Sequence, residues 1–188
     1  MKTKVTLLGD SIRMLGYGDK VAEILSEDFE VFTYPENCKF SKYTYRLLHD
    51  WESLMEGSRI VHWNNGLWDV AKLFDNECFT SEEEYVIIMS KIADILLSRY
   101  ERVIFSTTTP VKEGITKSHN ADIIRYNELI VPVLKEKGVI INDLYSFVLS
   151  GVDDYIRDDD HVHLTQAGID ACAKQISDLI VEVSKTLK

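Results

Sequence analysis

Short runs of β-branched and aromatic residues recur along this chain at residues 5–8, 31–34, 60–63, 103–107 and 139–141, with longer amphipathic stretches between them. This alternation constrains the fold more than any other feature. Runs that are apolar at successive positions and bounded by turn residues suit strands covered on both faces, as in a parallel sheet. The stretches between them read as helices. Val21, Ala22, Ile24 and Leu25 mark the first, and Tyr45, Leu47, Leu48 and Trp51 the second. The third opens on a capping box, Ser81 to Glu84, and carries Tyr85, Ile88, Met89, Ile92, Ile95 and Leu96 at helical spacing. A fourth is expected over residues 121–137, with Gly138 as a left-handed C-cap and a kink or break at Pro132. The last starts near Thr165. Strand–helix alternation of this kind predicts an α/β chain with a mostly parallel sheet and helices on both faces.

Residues 1–188 contain no internal repeat or linker-like tract, so one domain is expected. Hydrophobic residues make up 45%, enough for a core without a disulfide or metal staple. Cys38, Cys78 and Cys172 form no metal-ligand or CxxC pattern, which fits a reduced compartment. The net charge of −10 serves solubility and excludes nucleic acid and anionic membranes as partners, since both demand clustered cations. The apolar run at residues 5–8 is too short for a signal peptide or a membrane span, so a cytoplasmic protein is expected.

In parallel α/β sheets ligands bind beyond the carboxyl ends of the strands. The first strand leads into Gly9-Asp10-Ser11, which places a serine on the turn leaving the sheet, with its own N–H able to face an oxyanion. Ser11 is either a nucleophile or a helix N-cap. Arg13 is either a surface charge or an anion-binding group. Ahead of the last helix stands Asp158-Asp159-Asp160-His161-Val162-His163-Leu164-Thr165. Asp160 and His163 are spaced so that one imidazole nitrogen can face a serine while the other donates to the carboxylate. A metal site and a solvated charge run are the other readings of this cluster. No second ligand set accompanies it.

Gly-Asp-Ser after the first strand, together with Asp-x-x-His-hydrophobic-Thr before the last helix, resembles the SGNH (GDSL-like) hydrolase superfamily. The resemblance spans the chain nearly end to end. It implies a flavodoxin-like three-layer sandwich around a five-stranded sheet, with Ser11 as nucleophile, His163 as base and then acid, and Asp160 as the orienting carboxylate. His161 fills a place often held by glycine and is expected to line the pocket. The superfamily's oxyanion hole also uses a glycine N–H after the second strand and an asparagine after the third. Here residues 35–41 hold no glycine, and Cys38 or Lys39 is the candidate donor. After the third strand comes Asn64-Asn65-Gly66-Leu67-Trp68-Asp69. Aligned on the strand end, Asn64 or Asn65 takes the asparagine role, and Asn65 is the favoured of the two. Aligned on Gly66 and Asp69, Trp68 does. Carboxylic ester hydrolysis through an acyl-enzyme is implied, with no metal or other cofactor. Asn64, Trp68 and Trp63, with the threonines at 107–109, suit a small acyl ester such as an acetylated sugar. The same machinery serves an acyltransferase, and the departures from pattern also fit a binding protein that has lost catalysis.

Overall fold

The computed structural model describes residues 2–114 and 117–188. Its sheet has five parallel strands, β1 (Thr3–Leu8), β2 (Phe29–Thr33), β3 (Ile60–Trp63), β4 (Arg102–Ser106) and β5 (Ile140–Asn142), in the order β2-β1-β3-β4-β5. The central strand β3 is buried at every position, as a continuous apolar run requires. The observed strands overlap all the expected runs. β2 starts two residues earlier than its apolar run suggests, because Phe29 pairs with Thr3 while the intervening Glu30 faces solvent.

Helices cover both faces. α1 (Gly18–Leu25) packs against α7 (Gln166–Ser184), and α2 (Ser41–Asp50), α3 (Glu82–Arg99) and α4 (Asn120–Lys137) pack in series. Two short helices, α5 (Leu144–Leu149) and α6 (Val152–Tyr155), lead from β5 toward α7. Among the described residues no helix is long and apolar enough to cross a membrane. This is the α/β sandwich with the flavodoxin-like strand order that the sequence predicts.

Local chemistry sets the helix ends. Thr165 Oγ1 accepts from Gly168 N–H at 3.1 Å and opens α7, and Gly138 closes α4 at φ 97°. Ser81 caps α3 by accepting from Glu84 N–H, but the capping box is only half formed, since the Glu84 carboxylate pairs with Lys42 Nζ at 2.6 Å. α4 runs unbroken through Pro132, against expectation. Pro132 and Glu128, the residue whose carbonyl loses its partner, both lie on the exposed face, where water can satisfy that carbonyl.

The segment ahead of α7 is held at its base by an isolated antiparallel bridge between Ile156 and Leu164. Arg157 N–H donates to His163 O at 2.8 Å, and Thr165 N–H to Tyr155 O at 2.9 Å. Gly168 permits this closure: a Cβ there would sit 2.3 Å from the same Tyr155 carbonyl oxygen. Two effects oppose each other in Gly168→Ala. Helix propensity favours alanine by up to about 1 kcal/mol, whereas forcing a methyl against backbone costs about 1–3 kcal/mol. The contact should win, lowering the urea midpoint. A rise in the midpoint would show that the 156–164 bridge yields freely.

Candidate active site

β1 delivers Gly9, Asp10 and Ser11 to the carboxyl edge of the sheet. The Asp10 carboxylate folds back to accept from Ile12 N–H at 2.9 Å, and Asp10 O accepts from Met14 N–H at 3.0 Å. A widened, π-type turn then spans Arg13–Tyr17 before α1. Ser11 is left at the mouth of this turn with 7% of its surface exposed. Its N–H makes no hydrogen bond among the described residues.

The loop ahead of α7 brings the histidine to it. His163 Nε2 lies 2.9 Å from Ser11 Oγ, and His163 Nδ1 lies 2.9 Å from Asp160 Oδ2. The other carboxylate oxygen, Asp160 Oδ1, accepts from the N–H groups of Val162 and His163, both at 2.9 Å. Partial burial pushes the Asp160 carboxyl upward, but these backbone donors and the imidazole outweigh it and hold its pKa down, at about 2. The carboxylate therefore stays ionised and fixed on its histidine. An N–H on Nδ1 leaves Nε2 a lone pair directed at the serine hydroxyl, the arrangement that general-base activation needs.

The remaining expected residues divide into those near solvent and those turned inward. Arg13 is not available to a substrate. It is 2% exposed, and its guanidinium donates to the carbonyls of Tyr34, Gly9 and Glu36. Cys38 leaves the donor set as well, because its N–H is engaged by Gly9 O at 3.0 Å. Lys39 N–H donates to Asn37 Oδ1 at 2.8 Å. Asn64 faces inward between Tyr17 and Asp10 and lines no substrate pocket. Trp63 is a core residue, edge-on to Phe105, and Thr107, Thr108 and Thr109 are each at most 5% exposed. Thr108 Oγ1 donates to Asn65 O, and Thr107 Oγ1 to Asp143.

Asn65 is fully buried, accepting from Trp63 Nε1 at 2.7 Å and donating through Nδ2 to Lys39 O at 2.9 Å. One amide hydrogen remains. Trp68 is 40% exposed, with no hydrogen bond to its indole among the described residues. His161 sits on the rim, its Nδ1 2.9 Å from Glu113 O.

Lys39 and His161 are the only non-glycine residues of positive φ among those described, at 48° and 62°. Both therefore hold a left-handed conformation that glycine adopts more freely than any residue with a side chain.

Two residues of the site region carry roles that the sequence does not reveal. Asp69 accepts from the N–H and hydroxyl of Ser41, tying the start of α2 to the loop after β3. Its burial pushes the carboxyl up, to about 6, against the pull of its Ser41 and Thr80 donors. Tyr17 is buried under the nucleophile turn. The Gly66–Asp69 spacing was a signal for the first, whereas nothing in the sequence pattern marks the second.

No protein-family profile matches this chain, and no curated protein matches it in sequence. Solved structures do match. A lipase/acylhydrolase from Enterococcus faecalis superposes with a TM-score of 0.80 at 20% identity, covering 95% of each chain. An acetyl xylan esterase gives 0.78 at 21% identity, covering 94% of this chain and 99% of its own. An acetylxylan esterase from Geobacillus stearothermophilus gives 0.74 at 15% identity, covering 95% and 94%. The chain thus has the fold of these esterases and acylhydrolases along nearly its whole length, the fold that the SGNH resemblance implies.

Two measurements probe this geometry. If Lys39 stores backbone strain, Lys39→Gly should hold or raise the urea midpoint, whereas Lys39→Val should lose about 1–2 kcal/mol. Equal midpoints for both would show that the loop relaxes. The Asp160 carboxyl is depressed below its ordinary value of 3.8. Its stabilising contribution is therefore complete above that value and lost as pH falls toward about 2. The stability gap between wild type and Asp160→Asn should close as pH falls through that acid window.

Proposed function

We propose that this chain is a serine esterase that cleaves a small acyl ester through an acyl-enzyme on Ser11. The observation that carries the reading is the continuous relay from Ser11 Oγ through the His163 imidazole to Asp160, with both contacts at 2.9 Å. Ser11 Oγ attacks the ester carbonyl as His163 Nε2 takes its proton. Asp160 holds the imidazole in the required tautomer and steadies the imidazolium. His163 then protonates the departing alcohol, and the ester bond breaks to leave the acyl group on Ser11. Water, deprotonated by the same nitrogen, attacks the acyl-enzyme and releases the acid.

The carbonyl oxygen gains charge in both steps. The Ser11 N–H is one donor to it, and the remaining Asn65 amide hydrogen is the second, aimed by Trp63 and Lys39 at the other positions of that amide. One observation favours a second assignment: Trp68 is exposed and its indole N–H unengaged, whereas Asn65 is fully buried. For substrate, an acetylated carbohydrate is the class we favour. Two of the structural neighbours are acetyl xylan esterases, and Trp68 offers an exposed ring on which a sugar can stack.

The test is a series of p-nitrophenyl esters from acetate upward, alongside acetylated xylo-oligosaccharides. Acetate should be the preferred acyl group, and Ser11→Ala should abolish turnover while the fold is retained. Asn65→Ala should lower kcat by roughly 10²–10³-fold with little change in KM, and Trp68→Phe should stay within a few-fold of wild type. A large loss confined to Trp68→Phe would transfer the donor role to the indole. Activity surviving in Ser11→Ala would sink the mechanism.

A further inference from the structure

Beneath Ser11 runs a path of hydrogen bonds that the chemistry above does not use. Tyr17 OH donates to Asn64 Oδ1 at 2.8 Å, and Asn64 Nδ2 donates to Asp10 Oδ1 at 2.8 Å. The same Asp10 oxygen accepts from Ile12 N–H at 2.9 Å. The path therefore runs from Tyr17 to the two residues that flank Ser11. Every member is at most 5% exposed, so none of these groups meets substrate. Asn64 also lies directly on Gly9, where a Cβ would come within 1.9 Å of its Oδ1.

The direction of the Asn64 amide is the critical feature. An amide can be turned end for end at almost no change in shape, but the turned form would set Oδ1 against the Asp10 carboxylate. The Tyr17 phenol prevents this by donating to Oδ1. Burial pushes its ionisation well above the ordinary value, so it remains a donor. Its ring is fixed edge-on to His62, with centroids 5.6 Å apart. With no partner of its own, the Ser11 N–H points wherever the turn points it, and the turn is set by Asp10. We infer that Tyr17 and Asn64 are positioning residues for Ser11, which act through Asp10 to aim its N–H and hydroxyl at the reacting carbonyl.

This inference rests on the serine-esterase reading, and the experiment separates the two. Tyr17→Phe keeps the ring and removes the donor. Since a misplacement of about 1 Å can cost on the order of 10²-fold, kcat on p-nitrophenyl acetate should fall roughly 10–100-fold, with KM held within a few-fold. Labelling of Ser11 by a fluorophosphonate should slow in parallel, and far-ultraviolet circular dichroism should be unchanged. Asn64→Asp supplies a readout that loss of packing would not move. Two carboxylates at hydrogen-bond distance must share a proton, so its kcat should fall on the alkaline side, a limb that wild type lacks. The groups facing Asp10 in this titration are Arg13, Tyr17, Cys38, Asp69, Tyr85 and His163.

Activity surviving in Ser11→Ala would overturn both readings together. Loss in Ser11→Ala, with wild-type kcat and labelling in Tyr17→Phe and no alkaline limb in Asn64→Asp, would overturn the positioning role alone. If Tyr17→Phe fails to fold, the pH profile of Asn64→Asp decides.

Discussion

The contact on which the site depends is the approach of β3's end to β1's end, where the Asn64 side chain occupies the space that any Cβ at residue 9 would need. β1 and β3 are neighbours in the sheet, with Leu8 beside Trp63, so their next residues must pass each other closely. That approach buries the Asp10 carboxylate, and a buried carboxylate is tolerable only with donors around it. Ile12 N–H and the Asn64 amide supply them, and Arg13 adds a nearby positive charge. The Arg13 guanidinium then gathers carbonyls from the turn after β1 and the loop after β2. Bonding one oxygen of this buried acid, and gathering carbonyls through the arginine beside it, ties the ends of three strands to one another, and the serine turn rides on the result.

This chain of dependence explains what the sequence disclosed and what it concealed. Strands were legible because β-branched runs buried on both faces leave few alternatives, and the start of the last helix near Thr165 was legible from its apolar spacing. Ser11, Asp160 and His163 could be singled out because a serine–histidine–carboxylate relay needs specific residue types, and the fold brings the three within hydrogen-bond reach. The residues between motif and sheet were not. Arg13, Cys38 and Asn64 all follow strands and are polar or reactive, which on sequence alone looks like a binding surface. Whether such a group points out to substrate or in to satisfy a neighbouring carbonyl depends on the approach of a second strand end, and that is non-local. Pro132 failed as a helix breaker for a related reason. Its effect turns on whether the orphaned carbonyl can reach water, and periodicity does not report exposure.

Among the described non-glycine residues, positive φ is confined to Lys39 and His161. Lys39 and His161 adopt left-handed backbone that costs a side-chain-bearing residue about 1–2 kcal/mol each, and the surrounding bonds must offset it. At Lys39 the Asn37 side chain accepts its N–H, Asn65 donates to its carbonyl, and its ammonium lies 4.6 Å from the centroid of the Tyr43 ring. At His161 the carbonyl accepts from Lys112 N–H and the ring contacts Glu113 O. Glycine would keep the backbone bonds at both positions but would lose the Lys39–Tyr43 contact and the His161 Nδ1–Glu113 O bond. A side chain at each position instead ties its loop to a neighbour, so the loops are held by contacts that a glycine could not make. The turn bearing the serine is aimed from below by buried polar groups, while the loops around it are braced from the side. The Ser11 N–H has no partner among the described residues, so its direction depends on both supports.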